Sequence, residues 1–140
     1  MNYEQRKQQG SAIARQASAI LRKAGEEKSG RYSIYGYANP GGYSVTESGN
    51  GTKDVPTAVL LCCGLGTRTG EREAAQIVRW TEIVEADGRF TVTVTGRYKS
   101  TAEITRKTDD EIRRAKVTQA ERDAEDAIHA ASIARAAAKA

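Results

Sequence analysis

Tyr35 and Tyr37 lie two residues apart in the stretch GRYSIYGYANPGGY, residues 30 to 43, just after Arg22, Lys23 and Lys28 and beside Arg31. On a strand, side chains at that spacing project to one face. Next to cations, such a pair suits two kinds of binding. One is stacking on successive bases of single-stranded nucleic acid. The other is a protein contact, in which tyrosine gives a large contact area. A third arrangement is structural, with both rings covered by a helix.

Other stretches offer less chemistry. GLGTRTG (64 to 70) follows an apolar run, where glycines let a backbone approach a pyrophosphate. Its spacing is GxGxxxG rather than the dinucleotide pattern, and a strand is expected after it. We therefore expect a connecting loop in which Arg68 and the nearby Arg72 contact a partner. Cys62 and Cys63 are adjacent, and a bond between neighbours is strained. With no third Cys and a single His129, no metal cluster of familiar spacing can be built. His129 sits in an alanine-rich helix without an orienting group, so it makes a poor general base. Asp109, Asp110 and Glu111 read as a helix N-terminus. Glu121, Asp123, Glu125 and Asp126 read as a solvated band. No catalytic set, cofactor or metal ligand set is expected, which points away from an enzyme.

The elements that must carry these residues follow from periodicity. Residues 3 to 24 predict an amphipathic helix, with Ile13, Ala17, Ile20, Leu21 and Ala24 on one face and Gln8, Arg15, Ser18 and Arg22 on the other. Gly25 suits its end. Residues 31 to 38 and 43 to 47 flank Asn-Pro-Gly-Gly and predict a hairpin. In that hairpin Tyr32, Ile34, Ala38, Tyr43 and Val45 face the core, and Tyr35 and Tyr37 face out. SGNGTKD predicts a loop, and TAVLLCC (57 to 63) a buried central strand. Asp87-Gly88 suits a two-residue hairpin turn. It would set Ile83 opposite Val92, Thr81 opposite Val94 and Ile77 opposite Tyr98. Residues 74 to 84 also fit a helical period, but their β-branched and aromatic content favours a strand. Thr108 to Glu111 has the form of a capping box, opening a helix from about 109 to 138. Along it Val117, Ala120, Ala124, Ala127, Ala131, Ala134 and Ala138 recur at alternating steps of three and four, a heptad seam made almost wholly of alanine.

The expected architecture is α+β: an N-terminal helix, an antiparallel meander of about five strands and a long alanine-rich C-terminal helix. It forms one domain over 1–140, divided into a basic helix and connector (1–30), a sheet (31–105) and the last helix (108–140). Hydrophobic residues make up 39% of the chain, much of it alanine, with one Phe, one Trp and one Met. A core this thin favours association, so a homodimer is expected, with the alanine seam packing either on the N-terminal helix or sheet of its own chain or on the same helix of a second chain. The net charge of +4 is concentrated: residues 1 to 31 hold seven Lys/Arg against three acids, and the rest balances. The start has no signal-peptide core and no apolar run is long enough to span a bilayer. A cytoplasmic protein without membrane contact is expected.

Two functions fit. The first is a non-enzymatic protein-binding module, a small regulator or inhibitor of the kind that phages and mobile elements encode, occupying a surface of a larger macromolecular partner. The second is a nucleic-acid-binding protein that uses Arg15, Arg22, Lys23 and Arg31 for phosphates and Tyr35 and Tyr37 for stacking.

Overall fold

The computed structural model describes residues 2–48, 55–66 and 69–139. Most of SGNGTKD, together with Thr67 and Arg68, lies outside them. The fold is α+β with an antiparallel sheet, as expected. The elements are α1 (Tyr3–Lys23), β1 (Tyr32–Ser33), β2 (Gly36–Tyr37), β3 (Gly42–Glu47), β4 (Ala58–Cys63), α2 (Glu71–Ala86), β5 (Phe90–Thr95), β6 (Thr101–Arg106) and α3 (Asp109–Lys139). The chain divides into two compact units, Met1–Arg106 and Lys107–Ala140.

In the first unit α1 starts with a capping box the sequence reading missed. Asn2 accepts from the Gln5 N–H, and the Gln5 side chain accepts from the Asn2 N–H. The helix ends in a Schellman motif. Gly25 N–H donates to the Arg22 C=O and Glu26 N–H to the Leu21 C=O. Gly10, Ile13, Ala14, Ala17 and Leu21 form its buried stripe. Mid-helix glycine is unfavourable by propensity. Here a Cβ at Gly10 would stand 2.9 Å from the Thr57 carbonyl oxygen, so only glycine lets α1 lie this close.

The main sheet has the order β3-β4-β6-β5, with every neighbouring pair antiparallel. Val45, Leu60, Ala102 and Val94 form one row across all four strands, and Ala58, Ile104 and Val92 another. These rows, with Tyr43 and Phe90, pack against Ile13, Ala17 and Leu21 of α1 and Ile77, Trp80 and Val84 of α2. Tyr43 and Trp80 meet edge to face, with centroids 6.1 Å apart. The opposite face carries Ser44, Thr46, Val59, Leu61, Thr91, Thr93, Thr95, Thr101, Glu103 and Thr105, none of them buried.

Four expectations are corrected. Residues 74 to 84 are helical, inside α2. Ile77, Trp80 and Val84 recur at steps of three and four and are buried together, so packing of that stripe overrides the β propensity of its residues. Asp87-Gly88 therefore ends a helix rather than turning a hairpin, and Gly88 N–H donates to the Glu85 C=O. The proposed pairings of Ile83, Thr81 and Ile77 are not made; β6 pairs with β5 instead, Ile104 facing Val92. The sheet is thus no simple meander, because α2 carries the chain from β4 to β5 and β6 returns between them. Finally, residues 31 to 38 do not pair with 43 to 47. They fold on themselves as β1–β2, while β3 pairs with β4.

The second unit is α3. Thr108 Oγ1 accepts from the Glu111 N–H at 3.1 Å, one of the two bonds of the expected capping box. None of its residues is buried; Val117, Ile128 and Ile133 are all exposed. Among the described residues, no helix is long and apolar enough to cross a membrane.

Candidate interaction site

The tyrosine segment becomes a small protruding hairpin. Tyr32 pairs with Tyr37 and Ser33 with Gly36, leaving Ile34 and Tyr35 at the turn. Both turn residues keep negative φ, and Gly36 (φ +92°) supplies the left-handed residue the hairpin needs. Ser33 Oγ accepts from the Tyr35 N–H and donates to the Gly36 C=O, at 3.2 and 3.3 Å. The tip is bare: Ile34 is 91% and Tyr35 92% exposed. Tyr32 is 73% exposed, its ring tilted against Tyr37 with centroids 5.0 Å apart.

This placement changes the face assigned from sequence. Tyr32 and Ile34 were expected in the core and are exposed, because their strand never joins the main sheet. Ala38 is exposed as well, while Tyr43 is buried and Val45 packs against the core, as expected. Tyr35 and Tyr37 do not share a strand face. Tyr35 caps the turn, and Tyr37 is half-buried against the chain at Gly64. The neighbouring Cys63 thiol holds the Tyr37 phenol above its ordinary pKa.

The base of the hairpin is tied down by main-chain bonds. Segment 27–29 runs alongside β3, with a parallel bridge between Lys28 and Tyr43. Tyr43 N–H donates to the Glu27 C=O (3.0 Å), and Ser29 N–H to the Tyr43 C=O (2.9 Å). Asn39 closes the far end: its N–H donates to the Ser29 C=O and its Nδ2 to the Lys28 C=O, each at 2.9 Å. Gly42 sits under this crossing, where a Cβ would be 2.6 Å from the Ser29 nitrogen. Glu26 anchors the segment from the other side. Its carboxylate takes both arms of Arg79 of α2, Nε to Oε1 at 2.8 Å. The Arg79 guanidinium holds the Glu26 carboxyl below its usual range, against the opposing effect of burial. The Trp80 indole N–H adds to this from nearby, without the geometry of a full hydrogen bond.

The remaining candidates are scattered. Arg15 and Arg22, one α1 face apart by seven residues, share a groove with Lys28. Lys23 and Arg31 are exposed nearby in sequence, and Arg72 is exposed in the first turn of α2. Arg68 lies outside the described residues. The segment after GLGTRTG is a helix, contrary to expectation. Yet Glu71 and Glu73 fill its first turn, where they would repel a phosphate. Cys62 and Cys63 are free thiols. Burial, then Glu73, pushes the Cys62 thiol up to about 11, which keeps it protonated and unreactive at neutral pH. His129 is exposed on α3. Among the described residues, no group of three or more His, Cys, Asp or Glu is placed to hold a metal ion. Comparison with protein-family models, curated proteins and solved structures finds no match to this chain.

The Glu26–Arg79 anchor has a pH signature. A carboxyl whose folded pKa is lowered stabilises the fold above its unfolded pKa, and that contribution is lost as pH falls through the folded value. Glu26→Gln should therefore lower the urea midpoint at about pH 7 and lower it by less at about pH 3. An equal loss at both pH values would mean that the ion pair contributes nothing beyond packing.

Proposed function

We propose that this chain is a non-enzymatic protein-binding module, a small regulator or inhibitor that occupies a surface of a larger macromolecular partner. One observation carries this reading: the hairpin tip holds Tyr32, Ile34 and Tyr35 out in solvent on a base fixed by main-chain hydrogen bonds. Single exposed apolar residues are ordinary. Three of them on one six-residue hairpin, two at its turn, form a preorganised knob. Such a knob loses little conformational freedom on docking, and aromatic anchors dominate the energetics of interfaces.

The alternative is nucleic-acid binding. It is supported by the groove cations Arg15, Arg22 and Lys28. It loses the stacking arrangement that motivated it, because Tyr35 and Tyr37 occupy different places on the hairpin.

The same reading makes a second copy of the chain the partner of α3. Support comes from the absence of any buried residue on α3 and from the exposed Val117, a member of the seam. Alanine buries little area, at roughly 25 cal/mol per Å², so a seam of alanines needs a closely fitted partner.

Two outcomes are expected. Ile34→Ala and Tyr35→Ala touch nothing in the core, so each should change stability by less than about 0.5 kcal/mol. Each should weaken capture of the cognate protein by about 2 kcal/mol. Calorimetry with the captured partner measures both variants, and unchanged affinity in both would remove the hairpin from the interface. Light scattering should give a mass that rises with concentration towards a dimer. A monomer mass at every concentration would leave α3 without the proposed partner.

A further inference from the structure

The two edges of the main sheet are finished differently. On β5 the Val92 N–H is covered by the Glu85 carboxylate, at 3.3 Å. On β3 both main-chain groups of Tyr43 point away from β4, to Glu27 and Ser29. Alternation along the strand turns the N–H and C=O of Val45 to the same outer side. A strand continuing past 27–29 would offer the Ser29 C=O to the Val45 N–H. That carbonyl instead accepts from Asn39, and Gly30 (φ +74°) leads the chain away into the hairpin. Among the described residues, nothing hydrogen-bonds the outward groups of Val45. An open sheet edge is a template for another strand.

Val45 lines a groove of about 330 Å³ walled by Arg15 and Arg22 of α1 and by Lys28. None of these three cations has an acidic partner among the described residues. The one acid in the groove, Glu26, is held by Arg79. An unpaired main-chain donor and acceptor thus sit beside three unpaired cations.

We propose that this groove binds a short extended peptide segment rich in Asp and Glu, added as a strand alongside β3. A peptide C=O takes the Val45 N–H, a peptide N–H goes to the Val45 C=O, and carboxylates on the peptide meet Arg15, Arg22 and Lys28. A nucleic-acid backbone matches the cations but has no N–H and C=O pair at strand spacing. The groove is separate from the hairpin tip, so this assignment stands or falls independently of the role given to Tyr35.

The test uses the full chain and a short synthetic peptide alternating Glu with Val. Nuclear magnetic resonance reads amide shifts and exchange at Val45. The peptide should slow Val45 amide exchange by about tenfold or more, and N-methylation of its backbone should abolish this. Arg15→Ala with Arg22→Ala should weaken binding about tenfold, while Tyr35→Ala should leave it unchanged. Four results would overturn the proposal: no binding, unchanged Val45 exchange at saturating peptide, equal binding of the N-methylated peptide, or loss of peptide binding in Tyr35→Ala. Displacement of the peptide by a single-stranded oligonucleotide of higher affinity would assign the groove to phosphates instead.

Discussion

The arrangement of this protein's surface depends on one close crossing of backbones, where residues 27–29 lie against Tyr43. It is a main-chain contact with no room for side chains, since even a Cβ on Gly42 would meet the Ser29 backbone. Its consequences reach in two directions. On one side it fixes both ends of the hairpin, because Ser29 and Asn39 are bonded to each other and to the sheet edge. On the other it seals β3 at Tyr43 and stops there, leaving Val45 open. The exposed aromatic tip and the open edge are two results of the same diversion of the chain at Gly30.

Packing explains why the crossing can sit at the periphery. Both helices of the first unit cover one face of the sheet, and Trp80, Tyr43, Phe90 and Leu21 supply its large buried side chains. Tyr43 belongs to the core through its ring and to the crossing through its backbone, and its hydroxyl donates to the Ser18 C=O at 3.2 Å. The core thereby positions the crossing. The Glu26–Arg79 pair ties the same segment to α2, and as a bidentate pair with a largely buried carboxylate it holds more than an isolated surface ion pair would. The alanine-rich α3 makes up the second unit. Its local support is intrinsic propensity, the Thr108 cap and the acids of its first turn.

Much of this was legible in the residues and some was not. The stripe of α1, the buried strand at 57 to 63 and the cap of α3 follow from periodicity and capping chemistry. Residues 74 to 84 misled because Ile77, Val78, Val84 and Trp80 favour strands individually, while the three-four spacing of Ile77, Trp80 and Val84 favours a helix; burial of the stripe decides. The tyrosine segment misled for a different reason. Asn-Pro-Gly-Gly is a strong turn signal, but the turn that closes the hairpin is Ile34-Tyr35 between Ser33 and Gly36, where the local cues are only that serine and glycine. The site assignments on Tyr35, Arg15 and Arg22 came from residue type and from spacing along an expected strand and an expected helix. That Arg15 and Arg22 share a groove with Val45 depends on contacts between α1 and the sheet edge, which no single-sequence pattern encodes.

The most direct test of this account is residue-resolved amide hydrogen exchange on the free chain, compared with Gly42→Ala. The account predicts slow exchange at Ser29, Asn39 and Tyr43, and fast exchange at Tyr35 and Val45. In Gly42→Ala the first three should become fast together while the β6 amides stay protected. Exchange at Ser29 and Tyr43 as fast as at Tyr35 in the unaltered chain would contradict it, because the hairpin would then have no fixed base.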